Sequence, residues 1–365
     1  MSIPTKTRKL IVVLGPTASG KSDLAVEIAK HLPPACAGMA QAGLNGEIIS
    51  ADSRQVYRGM DIGTGKVLRD HRTHTRYEIL DTKYLYRGIP HHLLDVASPK
   101  RTFTVAQYQK LARKALEDIW KRGKLPIICG GTGFYIQSVV DGLVLPEVGP
   151  NPLLRKKLAK KTTDELFRML KKKDPARART VDSKNRVRLI RAIEIAETLG
   201  KVPKLKTTPV EADMLIVGIN PDKNLRPAND VKMDTIFPKS SNPEGGMTCH
   251  TTSASIIYKT ENAPKLRKRI LKRLLKRIDE GMIEEIVRLH KNGVSWKKLE
   301  SFGLEYRYGA LLLQNKISRG EFIKQLTHAI NQYAKRQMTW FKRDKRIHWI
   351  KNEKEALRLT KQFVK

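Results

Sequence analysis

The first candidate site is a glycine-containing loop between the apolar run KLIVVL and the amphipathic stretch KSDLAVEIAKHL. The loop matches the pattern GxxxxGK[ST], and its residues are Gly15, Pro16, Thr17, Ala18, Ser19, Gly20, Lys21 and Ser22. In this setting the backbone N–H groups of Ala18 to Lys21 converge on phosphate oxygens, Lys21 adds a positive charge, and the Ser22 hydroxyl can bind Mg²⁺. The loop predicts a di- or triphosphate site with Mg²⁺ as cofactor; the alternative is a glycine-rich turn without a ligand.

A second candidate is Asp52, which follows the apolar run GEIIS. Ligands of parallel α/β sheets bind at the carboxyl ends of strands, so we expect the Asp52 carboxylate to face the loop 15–22. A helix-cap or turn role is the alternative. The later strand-like run LPIICGGTG ends in glycines and Thr132, without the acid that ATP-hydrolysing enzymes place there to hold Mg²⁺. The residues therefore favour a diphosphate used in chemistry other than ATP hydrolysis.

The charge is strongly one-sided. Lys and Arg number 71 against 36 Asp and Glu, a formal net charge of +35. Such an excess favours a nucleic-acid partner, although solvated helix faces are the alternative. The three cysteines, Cys36, Cys129 and Cys249, form no CxxC pair, which argues against a zinc finger and a disulfide framework. The N-terminal apolar run is too short for a signal peptide, and no run is long enough for a membrane span, so we expect a cytoplasmic protein without a membrane partner.

The order of elements predicts an α/β fold, in which helices flank a parallel sheet. We expect a first part of this core over 1–145, a helical subdomain over 146–210, and a return to the core over 211–221 and 264–350. Residues 222–263 contain few large apolar side chains and are interpreted as a flexible insertion. Long helices are predicted from Pro264 to about Lys291 and from about Gly320 to Lys342.

Six segments, in this order, resemble the tRNA dimethylallyltransferase family, also called tRNA isopentenyltransferases. They are GPTASGKS, ADSRQVYRGMDIGTGK, IPHHLLDV, FTVAQY, GGTGFYI and YAKRQMTWF. The resemblance implies a P-loop NTPase-like sheet with an inserted all-helical, tRNA-binding subdomain. It also implies transfer of a dimethylallyl group from dimethylallyl diphosphate to N6 of the adenosine 3′-adjacent to the tRNA anticodon. The loop 15–22 would then hold the diphosphate leaving group, and we expect a monomer.

The resemblance assigns catalytic roles to three residues. Asp52 is implied to be the base that takes a proton from N6, and Thr17 lies in the loop near the reacting centre. Arg273 matches a family arginine that reaches the diphosphate. Arg269, Arg273 and Arg277 recur every four residues and so share one side of a predicted helix. We interpret Arg277 as a solvated member of this stripe.

The resemblance also implies a set of tRNA contacts. These residues are Asp52, Ser53, Arg54, Gln55, Thr132, Arg188, Tyr333, Lys335 and Arg336. Arginine and lysine would hold phosphates, and Tyr333 could stack on a base; for each residue a surface or packing role is the alternative. His91 and His92 are interpreted as packing or loop-anchoring residues. Glu305 and Tyr308 depart from the residue types that are common in the family.

Two other function classes stay open at this stage. One is a P-loop kinase, or a prenyltransferase that acts on a free adenine nucleotide. The other is an RNA-binding protein without catalytic activity that retains the loop. The net charge and the helical segment 146–210 count against the first class. The presence of both Lys21 and Asp52 counts against the second.

Overall fold

Short apolar runs form the strands of a central sheet. The computed structural model describes residues 8–32, 46–70, 84–220 and 265–365. Within these ranges the strands are β1 (Lys9–Leu14), β2 (Gly46–Ser50), β3 (Leu85–Tyr86), β4 (Ile89–His92), β5 (Leu125–Gly130), β6 (Leu143–Val144), β7 (Lys206–Thr207), β8 (Asp213–Ile219) and β9 (Ile347–Ile350). Every residue of β2 is buried, and β1, β5 and β8 are buried over most of their length, as expected for strands covered on both faces.

The strand order brings distant parts of the chain together. Among the described residues the large sheet has the order β3-β4-β2-β5-β1-β8-β9. All neighbouring strands in it pair in parallel except β3 and β4, which are antiparallel. Leu14 at the end of β1 pairs with Gly130 of β5, and Ser50 at the end of β2 pairs with Cys129. The predicted α/β fold with a parallel sheet is confirmed.

Helices cover the sheet and form the second half of the structure. They are α1 (Lys21–Lys30), α2 (Val105–Lys121), α3 (Gly133–Val140), α4 (Pro152–Leu158), α5 (Thr163–Lys173), α6 (Pro175–Thr180), α7 (Arg186–Leu199), α8 (Lys265–Asp279), α9 (Met282–Lys291), α10 (Trp296–Phe302), α11 (Leu304–Leu313), α12 (Arg319–Phe341) and α13 (Glu353–Val364). One apolar cluster joins the sheet to α1 and α13. A second joins α8 to α12 and includes Ala18 of the glycine-containing loop, so these helices support that loop. No described helix combines the length and apolarity that crossing a membrane requires.

The predicted helix from Pro264 to Lys291 is wrong in its continuity. It is broken between α8 and α9 at Gly281, whose φ of 95° lies in the left-handed region that glycine adopts most easily. The predicted helix 320–342 corresponds to α12, which begins with a capping box between Ser318 and Glu321.

The described residues form two compact units. One comprises those of Met1–Val139 and Glu211–Lys365, and the other is Val140–Val210. The second unit starts at Val140 rather than at the expected residue 146. Its helices α4 to α7 enclose an apolar cluster, and β6 and β7 pair the two ends of the segment. The insertion predicted over 222–263 lies entirely outside the described residues, as do Cys36 and Cys249.

Local capping signals shape the helical unit. The Thr162 hydroxyl accepts from the Glu165 N–H, and the Glu165 carboxylate accepts in return from the Thr162 N–H, forming the capping box that the sequence predicts. Asp174 caps α6, which begins with Pro175, and α7 ends at Gly200. These helix boundaries therefore follow from short stretches of sequence.

Candidate active site

The ends of three adjacent parallel strands carry the predicted polar groups. The loop 15–22 follows β1, the segment from Ala51 follows β2, and Gly131 and Thr132 follow β5, which lies between them. The Thr132 N–H donates to the Ala51 carbonyl at 3.1 Å, and the Thr132 hydroxyl accepts from the Ser53 N–H at 3.1 Å. The sheet thus places Asp52 and the loop at one edge, as parallel strands do.

The loop 15–22 has the features of an anion cradle. Ala18 and Gly20 both have left-handed φ angles, 60° and 87°, which bend the loop around the start of α1. Gly20 caps this helix without any side-chain hydrogen bond, so the first N–H groups of α1 remain available. The Ser19 hydroxyl is buried and has no hydrogen-bond partner among the described residues. Free donors at a helix N-terminus fit a phosphate group.

The Gln337 side chain connects this cradle to the end of β5 by hydrogen bonds. Sequence reasoning did not predict this role. Gln337 Oε1 accepts from the Thr17 N–H at 2.9 Å, and its Nε2 donates to the Gly131 carbonyl at 2.7 Å. A Cβ at position 131 would lie 2.5 Å from that Nε2, so glycine makes the contact possible. Gln337 lies within the segment YAKRQMTWF, which marked the region but not the contact.

Lys21 lies in a strongly electropositive setting. Its Nζ is 3.4 Å from the Pro16 carbonyl. Burial lowers the pKa of Lys21, the positive charges of Arg273 and Arg277 lower it further, and the negative charge of Asp52 opposes them. Lys21, Asp52 and the two arginines are therefore close enough to interact electrostatically, and a bound diphosphate would relieve the repulsion among the cations.

Asp52 uses one carboxylate oxygen to shape its own segment. Its Oδ1 accepts from the N–H groups of Arg54 and Gln55 at 2.8 and 3.4 Å. This is the turn role that the sequence left open, but it leaves Oδ2 without a hydrogen bond to any described residue. The Asp52 carboxylate therefore holds a defined orientation and retains an acceptor for a substrate proton.

Arg273 and Arg277 of α8 have different environments, and the interpretation of Arg277 as solvated is wrong. Arg277 is nearly buried and donates to Glu305 Oε1 at 3.0 Å and to the Gly63 carbonyl at 3.3 Å. A Cβ on Gly65 would collide with it. Arg273 has no hydrogen bond or ion pair to a described residue, and its side chain reaches solvent. Surrounding protein on its other sides, together with Arg277, lowers the pKa of Arg273 to about 10, which leaves it charged at neutral pH.

Glu305, one of the departures from common family types, thus has a structural explanation. Burial raises the pKa of its carboxyl group, whereas the charge of Arg277 lowers it. The ion pair between Arg277 and Glu305 joins α8 to the start of α11. Arg273, one helical turn away on α8, forms no ion pair with a described residue.

A buried carboxylate that the sequence did not indicate, Glu285, organises the segment after Asp52. It accepts from the N–H groups of Asp61, Ile62 and Gly63 at 2.8, 2.8 and 3.1 Å. It also accepts from the Tyr306 hydroxyl at 2.8 Å. This residue of α9 therefore fixes the loop against which Arg277 lies.

Comparisons with known proteins agree with this arrangement. A family model described as IPP transferase matches residues 55–344. A tRNA dimethylallyltransferase 2 of Trichlorobacter lovleyi is 37% identical over 95% of this chain and 93% of its own. One from Treponema denticola is 40% identical over 93% and 95%. The chain belongs to the IPP transferase family.

Solved structures show the same fold. The full-length tRNA isopentenylpyrophosphate transferase of Bacillus halodurans matches with a TM-score of 0.58 and 26% identity, over 98% of this chain and 97% of that one. A eukaryotic dimethylallyltransferase acting on tRNA matches with a TM-score of 0.60 at 24% identity, and this likeness concerns the fold alone. The resemblance proposed from the sequence is confirmed.

The residues suggested as RNA contacts of this IPP transferase family member divide by location. Ser53, Gln55 and Thr132 lie at the strand ends, and Tyr333 is close enough to Thr132 and Asp52 to interact with them electrostatically. Burial and the charge of Asp52 raise the pKa of Tyr333 to about 12, so its hydroxyl stays protonated. The others are exposed or partly exposed: Arg54, Arg188 in the helical unit, Lys335 and Arg336. Their contacts with RNA stay predictions.

His91 and His92 have structural partners, in line with their interpretation. His91 is buried, and its Nδ1 is 2.9 Å from the Ile89 carbonyl. His92 Nε2 lies 2.7 Å from Glu47 Oε2. No group of three or more His, Cys, Asp or Glu side chains within the described ranges is arranged to hold a metal. The site therefore offers no all-protein metal cage in that part of the chain.

The cradle offers Mg²⁺ one protein ligand, the Ser22 hydroxyl oxygen, rather than a full set of ligands. Ser22 is the second residue of α1, beside the free N–H groups, and with Ser50 and Gln55 it lines a small cavity of about 20 Å³. Mg²⁺ commonly takes one or two protein oxygens and completes its octahedron with phosphate oxygens and water. A single hydroxyl next to a diphosphate cradle is compatible with that chemistry.

Proposed function

We propose that this protein transfers a dimethylallyl group from dimethylallyl diphosphate to N6 of the adenosine that follows the anticodon in tRNA. One observation carries the assignment: an uncapped anion cradle, a carboxylate with a free oxygen and an unpaired arginine meet at one sheet edge. The curated relatives above are named for this activity.

The donor's diphosphate is the leaving group, and the cradle stabilises its developing charge. As the bond between the allylic C1 and the diphosphate oxygen breaks, negative charge grows on the diphosphate. The N–H groups at the start of α1, Lys21 and Arg273 are placed to offset it. Thr17, whose N–H donates to Gln337 Oε1, lies in the cradle, and the family resemblance implies that it is near the reacting carbon. Bound Mg²⁺, held by Ser22, would supply further neutralisation of the diphosphate.

Asp52 acts on the acceptor. The N6 amino group of adenine is a weak nucleophile because its lone pair is delocalised into the ring. The free Oδ2 of Asp52 accepts a hydrogen bond from N6–H and takes that proton as the N6–C1 bond forms. The carboxylate returns the proton to solvent after the product leaves, so the reaction consumes one donor and releases one diphosphate.

The RNA requirement follows from charge and from accessibility. A net charge of +35 suits a polyanionic acceptor, and Lys335 and Arg336 are exposed on α12 in the same stretch as Tyr333. A base in the anticodon arm must leave its stack to reach Asp52, and Tyr333 offers an aromatic ring for it. We place this monomeric enzyme in the cytoplasm, where its tRNA acceptor is found.

The test is a product assay with three reaction mixtures. The protein is incubated with dimethylallyl diphosphate and tRNA, with the same donor and AMP, or with ATP and AMP. Nucleosides are then analysed by mass spectrometry. We expect N6-dimethylallyladenosine in the tRNA sample alone. Prenylated AMP in place of prenylated tRNA would favour a free-nucleotide prenyltransferase, phosphate transfer would indicate a kinase, and tight tRNA binding without product would indicate a non-catalytic RNA-binding protein.

A further inference from the structure

Two cations share one aromatic ring next to the Asp52 segment. The Cζ atom of Arg54 lies 5.7 Å from the centroid of the Phe302 ring, and the Nζ atom of Lys298 lies 5.3 Å from it. Lys298 Nζ also donates to the Thr102 hydroxyl at 3.0 Å. The Arg54 N–H donates to Asp52, so this cluster of Arg54, Lys298, Phe302 and Thr102 adjoins the proposed base.

The ring beneath the two cations is held firmly. Phe302 is 4% exposed and packs on Tyr57, which is 3% exposed, with their centroids 4.9 Å apart. The Tyr57 hydroxyl accepts from the Phe103 N–H at 3.1 Å, which ties the ring to the segment that carries Thr102. Both cations therefore lie close to an aromatic ring whose position is fixed, and each gains a modest attraction to that ring.

Neither Arg54 nor Lys298 forms an ion pair with an acid among the described residues. Partial burial lowers the pKa of Lys298, and the charge of Arg54 lowers it further. Glu300, on the same helix, instead accepts from Gln314 Nε2 at 3.1 Å and pairs with Lys316. Two like charges that interact without an ion-pair partner repel each other less when an anion binds close to both.

We propose that Arg54, Lys298 and Thr102 form a phosphate subsite for RNA beside the adenosine that Asp52 addresses. The inference rests on the proposed function for the choice of RNA as the anion's source. Arg54 was expected from the sequence to contact tRNA, but Lys298 and Thr102 come to it only through the fold. The diphosphate donor has its own cradle at Lys21, so the subsite acts on the acceptor. Arg54 and Lys298 are partly exposed and Thr102 is exposed, which leaves them accessible to a backbone phosphate.

Lys298→Gln tests the subsite by RNA affinity and salt dependence. The dissociation constant of an anticodon stem-loop RNA is measured by fluorescence anisotropy at several salt concentrations. We expect Lys298→Gln to weaken binding about 3- to 10-fold and to flatten the slope of log K against log salt by about 0.7–0.9, the loss of one phosphate contact. Lys298→Arg should stay close to the unmodified protein. The matched control is Lys297→Gln, because Lys297 is the exposed neighbour on the same helix.

Three other outcomes would contradict the proposed phosphate subsite. A slope and affinity equal to those of the Lys297→Gln control would remove Lys298 from RNA binding. A raised KM for dimethylallyl diphosphate with unchanged RNA binding would assign the pair to the donor. A lowered melting temperature, with the RNA slope unchanged, would give Lys298 only a structural role. Failure of the unmodified protein to prenylate tRNA would refute the proposed function instead, and the product assay detects that separately.

Discussion

A buried carboxylate organises each of the two units, but it does so in different ways. In the sheet unit Glu285 accepts from three successive N–H groups of the loop that starts at Asp61 and from the Tyr306 hydroxyl. In the helical unit Glu194 accepts from the side chains of Arg155 and Arg191 and from the Asn151 N–H. Both carboxylates are about 1% exposed.

The difference lies in what each carboxylate holds. Glu285 satisfies backbone groups of a loop without regular structure, and this loop contacts Arg277 in the candidate site. Glu194 joins α4 to α7, two helices that their own caps, Asn151 and Asn185, already define. We conclude that the sheet unit depends on distant contacts to shape a reaction site, whereas the helical unit assembles locally formed helices into a basic surface.

Replacing Asp52, the proposed base, should give the largest effect. In Asp52→Asn the amide oxygen can still accept from the Arg54 and Gln55 N–H groups, so the segment keeps its shape. It cannot take the N6 proton, and the rate of transfer should fall by about 10²–10⁴-fold. Single-turnover kinetics measure this, with Asp213→Asn at the opposite end of the sheet as control. Near-normal turnover would exclude Asp52 as the base.

Glu285→Gln tests whether the sheet unit depends on its buried carboxylate. A single amide oxygen cannot accept all four hydrogen bonds, so the free energy of unfolding should fall by roughly 2–4 kcal/mol. Transfer activity should fall with it, because the Asp61 loop loses its anchor. Denaturant unfolding measures the change. The control is Glu284→Gln, since Glu284 is the exposed neighbour on α9, and equal stability of the two variants would contradict the anchoring role.

Glu194→Gln should act on the helical unit alone, and in a pH-dependent way. Burial raises the pKa of Glu194, but hydrogen bonds from Arg155 and Asn151 outweigh it and leave the pKa below its ordinary value of 4.5. A depressed pKa stabilises the fold above pH 4.5, and this contribution is lost as the pH falls further. At neutral pH we expect faster amide exchange over residues 140–210 in the variant, with a smaller difference from the unmodified protein in acid.

Hydrogen exchange followed by mass spectrometry resolves the two units in this experiment. Glu197→Gln serves as the control, because Glu197 is an exposed residue of the same helix. If exchange in the sheet unit rose as much as in residues 140–210, the two carboxylates would not act separately. A difference that persists unchanged at a pH well below 4.5, where the Glu194 carboxyl group is protonated, would show that the Glu194 charge is not the cause.

The smallest expected effect concerns the exposed cations of α12. Replacing both Lys335 and Arg336 by alanine should weaken tRNA binding several-fold and flatten its salt slope by roughly one to two. Donor binding should be unchanged. The paired control replaces Arg319 and Lys324, exposed cations on the same helix. An unchanged slope with a lowered melting temperature would show that Lys335 and Arg336 stabilise the helix rather than bind RNA.

Sequence reasoning was accurate where a signal is short and local. The loop 15–22, the strand before Asp52 and the Thr162 capping box each depend on fewer than ten adjacent residues, and the structure has the expected backbone at each. It failed for Arg277, because periodicity gives the side of a helix but not what packs against that side. Arg277 is nearly buried only because the fold brings the Glu305 carboxylate and the Gly63 carbonyl into contact with its side chain.

The sequence by itself determined the types of chemical group in this protein: a phosphate-binding loop, a carboxylate at a strand end and a large excess of cations. The tertiary structure decided which groups meet. In the sheet β5 lies between β1 and β2, so Gly131 and Thr132, which follow β5, lie between Asp52 and the cradle. The tertiary structure brought Gln337 to Thr17 across 320 positions and Glu285 to Asp61 across 224. Contacts at such separations depend on strand order and helix packing, which are properties of the whole fold and leave no periodic signal in the residues concerned.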